Sequence, residues 1–201
     1  MVLFLLLWVG LSINVPYPEF YLLQHLPTTI AWIVIFIMLH YRLLRETDFY
    51  ALVLFLILHL IGARYLYSLV PYDDWLDWFF GFTLTETFHW HRNHYDRFVH
   101  FMYGILLAIP LWHLCERFVT KSQTLLVLFT IQAILATSTL YELAEWALAM
   151  VAAPDMAESY NGQQGDMWDA QKDVALALLG CLITCSGLLW VVGKKQPGQT
   201  S

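Results

Sequence analysis

Long apolar runs separated by short polar turns dominate the residue pattern of this chain. Most of the runs reach about 18 residues or more, the length that an α-helix needs to cross the hydrocarbon core of a bilayer. The pattern therefore predicts an all-α fold, a polytopic transmembrane helix bundle with about six spanning helices. The predicted spans lie near residues 2–13, 28–44, 49–66, 95–114, 123–150 and 166–192.

The first run, 2–13, is the shortest. It has no basic start and no small-residue cleavage site after it, so it is read as a helix and not as a removable signal. It ends before Asn14 and Pro16, after about a dozen residues, and we expect such a short span to tilt or to thin the bilayer around it. The proline-rich stretch 16–27 is predicted to be a loop.

Composition places the whole chain, residues 1–201, in one integral membrane domain. It is 59% hydrophobic and 13% charged, against about 45–50% and 25% in soluble domains. The lipid bilayer is therefore its expected partner. A net charge of -6 without a basic run excludes nucleic acid binding. The cysteines lie in or beside apolar runs without a Cys-x-x-Cys pair, which favours packing over a disulfide or zinc site: Cys115, Cys181 and Cys185.

Basic residues predict the orientation of the bundle, because Lys and Arg near span ends favour the cytoplasm. Six of them follow even-numbered spans: Arg42, Arg45, Arg117, Lys121, Lys194 and Lys195. Both termini are therefore predicted to be cytoplasmic, and the loops at 14–27, 67–94 and 152–165 to be outside. The second of these loops mixes aromatic and acidic residues, as interfacial segments do, and its histidines are read as interfacial polar residues: His89, His91 and His94.

Polar residues inside the spans are the candidates for function, because a charge at the centre of a spanning helix costs about 2.5–3.5 kcal/mol. They fall at helix ends that the topology puts near the outer surface, where we expect them to converge. The candidates are Asp96, Arg97 and His100 in the fourth span, Tyr141, Glu142 and Glu145 in the fifth, and Asp166, Asp169 and Asp173 in the sixth. The third span adds His59, with Arg64, Tyr65 and Tyr67 near its outer end.

Clustered carboxylates repel one another, so they must be protonated, pair with Arg97, Arg64 or Lys172, or bind a cation. A divalent metal ion is the expected cofactor. Carboxylates with a single histidine suit Mg²⁺, Mn²⁺ or Ca²⁺ at least as well as Zn²⁺. The predicted metal ligands are Asp96, His100, Asp166 and Asp169, and the predicted catalytic residues are Glu142, Glu145 and Asp173.

Such a site would activate water for attack on a phosphoester, ester or amide of an envelope lipid or precursor, with Glu142 or Glu145 as base. The chain would then be a metal-dependent hydrolase or transferase. Two other hypotheses use the same residues: a small transporter or proton-coupled carrier, and a non-catalytic structural membrane partner.

Structural explanations cover part of the cluster. Asp96, Arg97 and His100 can simply lock the fourth span to its neighbours, and a helix dipole favours acidic residues in a first turn. That dipole explains Asp166 and to a lesser degree Asp169. It does not explain Asp173, which lies two turns into the span and is the better site candidate.

The polar strings resemble a known family. HYDRFVHF (94–101), YELAEW (141–146), GQQGDMWDAQKD (162–173), the His59 helix and YSLVPYDDWLDWFFG (67–81) are similar to the YjdF-like family of bacterial inner-membrane proteins over nearly the whole chain. The resemblance implies a membrane fold and an inner-membrane location, and it implies no particular activity. One departure is Arg64, because YjdF-like relatives tend to have a histidine near the outer end of the third span.

The chain also resembles, more loosely, VanZ-like proteins, which have Asp-x-x-x-His, a later helix glutamate and an acidic start to the final helix. The matching positions are Asp96 with His100, Glu142, and Asp166 with Asp169 and Asp173. This likeness implies a role in the bacterial envelope.

Overall fold

A computed structural model describes residues 2–152 and 163–194. Over these ranges the chain forms eight helices and no strand, which confirms the all-α class. The helices are α1 (Val2–Leu11), α2 (Pro18–His40), α3 (Glu46–Arg64), α4 (Tyr72–Phe80), α5 (Leu84–Phe88), α6 (Tyr95–Phe118), α7 (Gln123–Ala152) and α8 (Asp169–Lys194).

Five of the helices, α2, α3, α6, α7 and α8, are long and apolar enough to cross a membrane, and α1 is a shorter apolar helix. The prediction of about six spans is therefore confirmed.

The guanidinium of Arg64 donates to the carbonyls of Leu11, Ile13 and Asn14 at 2.5, 2.9 and 3.2 Å. These carbonyls have no partner further along α1, so Arg64 anchors the end of α1 against the end of α3.

The structure corrects the predicted start of the second span. The helix begins at Pro18, ten residues before the predicted start at 28, and Pro27 lies inside it. Proline suits the first turn of a helix, where its missing N–H is not needed, and spanning helices tolerate an internal proline. The predicted loop 16–27 is therefore mostly helical.

Smaller differences concern the other ends. The predicted loop 67–94 contains the short helices α4 and α5, and α8 begins at Asp169 and not at 166. On α4, Trp78, Phe79 and Phe80 are exposed, as expected of a segment at the membrane interface. Lys195 and most of the predicted loop 152–165 lie outside the described residues.

Helices α6 and α8 run parallel and touch along a seam of small residues. A Cβ added at Gly104 would overlap the carbonyl oxygen of Ala177, and one added at Gly180 would overlap that of Phe101. The hydroxyl of Thr184 also donates to a carbonyl of α6, that of Ile105, at 2.9 Å. Small residues allow such close approach between membrane helices, and this contact fixes the register of α8 on α6.

The bundle has two chemically different ends. At one, α3 and α7 end while α6 and α8 begin, and carboxylates gather there; we name it the acidic end. At the other, named the basic end, α3 begins and α6 ends, and two polar side-chain contacts join the helices. Asp48 contacts His113 at 2.5 Å, and Arg45 contacts Glu116 at 2.7 Å.

Candidate functional site

Three buried side chains meet at the acidic end of the bundle. Asp96 and His100 come from α6 and Asp173 from α8, and one ligand atom of each lies within 4.8 Å of the other two. Their residues are 8%, 7% and 1% exposed. Among the described residues no other group of three His, Cys, Asp or Glu side chains is arranged so that it could hold a metal ion. We name these three residues the carboxylate–histidine cluster.

The cluster continues the seam between α6 and α8. His100 lies one turn before Gly104 on α6, and Asp173 lies one turn before Ala177 on α8. Residues four apart lie on the same face of a helix. The close approach of α6 and α8 at the seam therefore also brings His100 and Asp173 together, one turn nearer the acidic end. The glycine contact therefore positions the cluster, although it contributes no polar atom to it.

A fourth polar residue, Glu142 of α7, contacts the cluster. Its Oε1 lies 3.2 Å from His100 Nε2, and that nitrogen lies 3.7 Å from Asp96 Oδ1. Asp173 Oδ1 is buried and makes no hydrogen bond within the described part of the chain, and buried Glu142 Oε1 has the contact with His100 but no hydrogen bond of good geometry. A buried carboxylate oxygen without a donor is costly, so Asp173 calls for a cation or a proton donor.

The distances suit a shared cation. Two ligand atoms that are each about 2.1 Å from one metal ion lie at most about 4.2 Å apart. The contacts of His100 with Asp96 and Glu142 fall within that limit, and all ligand atoms of the cluster lie within 4.8 Å of one another, at most about 0.6 Å beyond it. Small side-chain rotations would close the difference.

Asp166 and Asp169, two of the predicted metal ligands, form ion pairs with basic side chains. Asp169 Oδ1 lies 2.6 Å from Arg92 and 3.2 Å from Arg97. Asp166 Oδ2 lies 2.5 Å from both Arg97 and Lys172. The hydrogen bond from Lys172, followed by a backbone N–H bond, lowers the pKa of Asp166 to about 2. The structure thus puts Asp166 and Asp169 in an ion-pair network above the cluster, and their role as metal ligands stays a prediction.

Sequence reasoning did not single out Arg92, whose guanidinium contacts both oxygens of Asp169. Nearby, the backbone of Asn93 and the side-chain amide of Gln164 exchange two hydrogen bonds of 2.8 and 3.0 Å. These contacts join the segment before α6 to the segment before α8. The only indication of these contacts in the sequence was the excess of acidic over basic residues at this end, because clustered carboxylates require partners.

Glu145, another predicted catalytic residue, lines a cleft between α7 and α8. The cleft has a volume of about 590 Å³ and is also lined by Glu142, Asp169 and Trp146. Glu142 therefore borders the cluster on one side and the cleft on the other.

A second cavity, of about 220 Å³, lies inside the bundle next to His100. Its lining is mostly apolar and includes six residues with polar groups: His59, Tyr67, His100, Tyr103, Ser138 and Tyr141. The hydroxyl of Tyr67 is hydrogen-bonded to His59 Nδ1. Burial, followed by the negative charges of Asp96 and Glu145, raises the pKa of Tyr67 well above its usual value.

The remaining residues that the sequence analysis discussed are Arg64 and Tyr65 near the end of α3 and the histidines of the loop 67–94. Arg64 caps α1, as described above, and the ring of Tyr65 packs edge-on against Trp75 at 6.0 Å. His89 and His91 are exposed, and His94 packs on Trp90 at 4.2 Å. None of these residues belongs to the carboxylate–histidine cluster.

Comparison with known proteins supports the membrane assignment. Residues 1–195 match the family described as Predicted membrane protein (DUF2238). The chain is 35% identical over 129 residues to Inner membrane protein YjdF of Escherichia coli (strain K12), a match that covers 64% of this chain and 57% of that relative. No solved structure matches the chain. The resemblance to the YjdF-like family is thus confirmed, and the VanZ-like resemblance stays a prediction.

Proposed function

Because the chain belongs to the DUF2238 family of membrane proteins, we propose that it is an inner-membrane protein whose carboxylate–histidine cluster binds a divalent cation and acts on an envelope lipid or precursor. The observation that carries the proposal is the burial of Asp96, His100 and Asp173 with their ligand atoms within 4.8 Å. The named relative, an inner membrane protein, supports the location.

The charge at the cluster favours a cation. Asp96, Asp173 and Glu142 carry three potential negative charges around one histidine, and the nearby arginines contact Asp166 and Asp169 instead. A divalent ion would offset two of the charges and give Asp173 Oδ1 a partner. Oxygen ligands with one imidazole suit Mn²⁺ or Mg²⁺, and Zn²⁺ accepts the same set.

The residues at the cleft suit hydrolysis of a phosphoester. When bound, the cation would supply Lewis acidity and lower the pKa of water. Glu142 would accept a proton from the water that attacks phosphorus. As the bond from phosphorus to the leaving alcohol breaks, a protonated Glu145 would donate the proton that the alcohol needs. Proton exchange with solvent then restores both glutamates.

The sidedness of the bundle completes the proposal. Basic residues gather at the basic end, including Arg42, Arg45 and Arg117, and the positive-inside rule assigns such an end to the cytoplasm. The acidic end, with the cluster and the cleft, would then face the periplasmic leaflet, where envelope lipids and precursors are processed.

The experiment is hydrolysis of a phospholipid in vesicles that contain the purified protein and Mn²⁺. We expect headgroup release that EDTA abolishes. Glu142→Gln should reduce it by about 100-fold or more, because a general base contributes roughly 10²–10⁴-fold. Glu86→Gln, a change at an exposed position on α5, is the matched control and should leave it unchanged. Equal rates with EDTA, or in Glu142→Gln, would exclude this reaction.

A carrier is the second candidate, and the cavity beside His100 favours it. The cavity leads from His100 into the bundle, toward α2 at Pro27 and Ala31. A carrier predicts uptake of the divalent ion into vesicles that Asp173→Asn abolishes. If Asp173→Asn instead prevents accumulation of folded protein, the cluster serves the structure alone.

A further inference from the structure

A separate pocket lies at the basic end, between the α2–α3 turn and the end of α6. Its volume is about 300 Å³. The lining consists of Leu43 and Leu44 with five basic side chains: Arg42, Arg45, His113, Arg117 and Lys121. We name it the basic pocket. It lies at the opposite end of α6 from the carboxylate–histidine cluster.

The positive charge of the pocket exceeds what nearby acids neutralise. Glu116 pairs with Arg45 at 2.7 Å, and Asp48 pairs with His113. In the part of the chain that the structure describes, no ion pair involves Arg42, Arg117 or Lys121. Arg42, Arg117 and Lys121 therefore line one pocket without a direct ion pair in the described part of the chain, and Glu116 is the carboxylate that offsets part of their charge.

Local contacts hold the pocket in shape. The guanidinium of Arg117 donates to the carbonyl of Arg42 at 2.8 Å, which ties the end of α6 to the turn after α2. Asp48 is fully buried, and its side chain contacts Nδ1 of His113 at 2.5 Å. That contact fixes the imidazole and leaves its Nε2 for a ligand. The backbone of Arg42 has a φ of 51°, so the turn that presents it is tight.

We propose that the basic pocket binds the phosphate of an anionic phospholipid. Guanidinium groups match phosphate oxygens in geometry and charge. The pocket lies where α3 begins and α6 ends, so its neighbours in a membrane are lipid headgroups. Basic pockets between spanning helices bind anionic headgroups in this position. The proposal does not depend on any function of the carboxylate–histidine cluster at the other end of the bundle.

The test is binding of short-chain lipids to the purified protein in a neutral detergent, measured by native mass spectrometry. The probes are dioctanoyl phosphatidylglycerol, dioctanoyl phosphatidylcholine and inorganic phosphate. We expect one saturable phosphatidylglycerol per chain, with little binding of phosphatidylcholine and no competition from inorganic phosphate at the same concentration.

Variants assign the binding to the pocket. Arg117→Gln with Lys121→Gln should weaken phosphatidylglycerol binding by roughly 30-fold, about fivefold for each charge removed. Lys194→Gln, which removes a basic residue that packs on Trp190 outside the pocket, is the control and should stay within about twofold of wild type. If the double variant does not fold, Lys121→Gln alone, at an exposed position, should still lose about fivefold.

Several results would overturn the proposal. Equal binding of phosphatidylcholine would show that charge does not select the lipid. Competition by inorganic phosphate would make the pocket a free-phosphate site. Unchanged phosphatidylglycerol binding in both pocket variants would place the lipid elsewhere on the protein.

Discussion

Replacement of Gly104 by alanine adds one methyl group where α6 and α8 touch. Its Cβ would lie 2.8 Å from the carbonyl carbon of Ala177 and 2.9 Å from the nitrogen of Cys181, and it would overlap the carbonyl oxygen of Ala177. These are backbone atoms, so the clash is relieved only if the helices move apart. Overpacking of this kind costs about 1–3 kcal/mol, and the better helix propensity of alanine returns roughly 0.5–1 kcal/mol.

The expected net loss relative to wild type is therefore about 0–2.5 kcal/mol, or a fall of up to about 10 °C in the melting temperature in detergent, and the loss relative to a glycine-to-alanine change without a clash is about 1–3 kcal/mol. Gly187→Ala is the matched control in α8, because a Cβ there has nothing within 4 Å. It should melt at the wild-type temperature or slightly above. Since the seam positions the cluster, Gly104→Ala should also weaken Mn²⁺ binding by about 10–100-fold. A Gly104→Ala protein that melts and binds like Gly187→Ala would refute the role of the seam.

Two further predictions concern charged groups. Hydrogen bonds from Lys172 and from the backbone hold the pKa of Asp166 at about 2 in the folded protein, below the value of about 3.9 in the unfolded chain. The Asp166 carboxylate therefore stabilises the fold fully above about pH 4, and this contribution is lost as the pH falls toward about 2. The difference in melting temperature between wild type and Asp166→Asn should shrink over that interval, and a constant difference would contradict this. Asp48→Asn removes the fully buried carboxylate that contacts His113 and should cost about 1.5–3 kcal/mol in denaturant unfolding, the contribution of a hydrogen bond to a charged group. Exposed Glu46→Gln should stay within about 0.5 kcal/mol, and equal losses would refute the buried-pair interpretation.

The sequence was sufficient for the number of long helices and for the end of the bundle at which the polar residues gather. Apolar run length identifies five long helices because the bilayer sets a minimum length. Alternating direction then puts the polar ends of α6, α7 and α8 at one level, where the structure brings Asp96, Glu142 and Asp173 together. Which end of the bundle faces the cytoplasm stays a prediction.

The remaining features depend on tertiary contacts that periodicity does not encode. Asp169 and Asp173 share one face of α8, yet Asp173 lies in the cluster while Asp169 contacts Arg92, which is 77 residues away in sequence. Which carboxylate meets which partner follows from the register that Gly104 and Gly180 impose. The early start of α2 was missed because Pro18 and Pro27 were read as loop residues, whereas one occupies a first turn and the other is tolerated within a span.

The central claim is that the carboxylate–histidine cluster binds one divalent cation. The most direct test is the metal content of the purified protein, measured by inductively coupled plasma mass spectrometry after supplementation with Mn²⁺ or Zn²⁺ and removal of free ions. We expect about one equivalent per chain in wild type and in the control Asp77→Asn, an exposed change on α4. Asp173→Asn should fold and lose the ion. No stoichiometric ion in wild type, or an equal amount in folded Asp173→Asn, would contradict the claim.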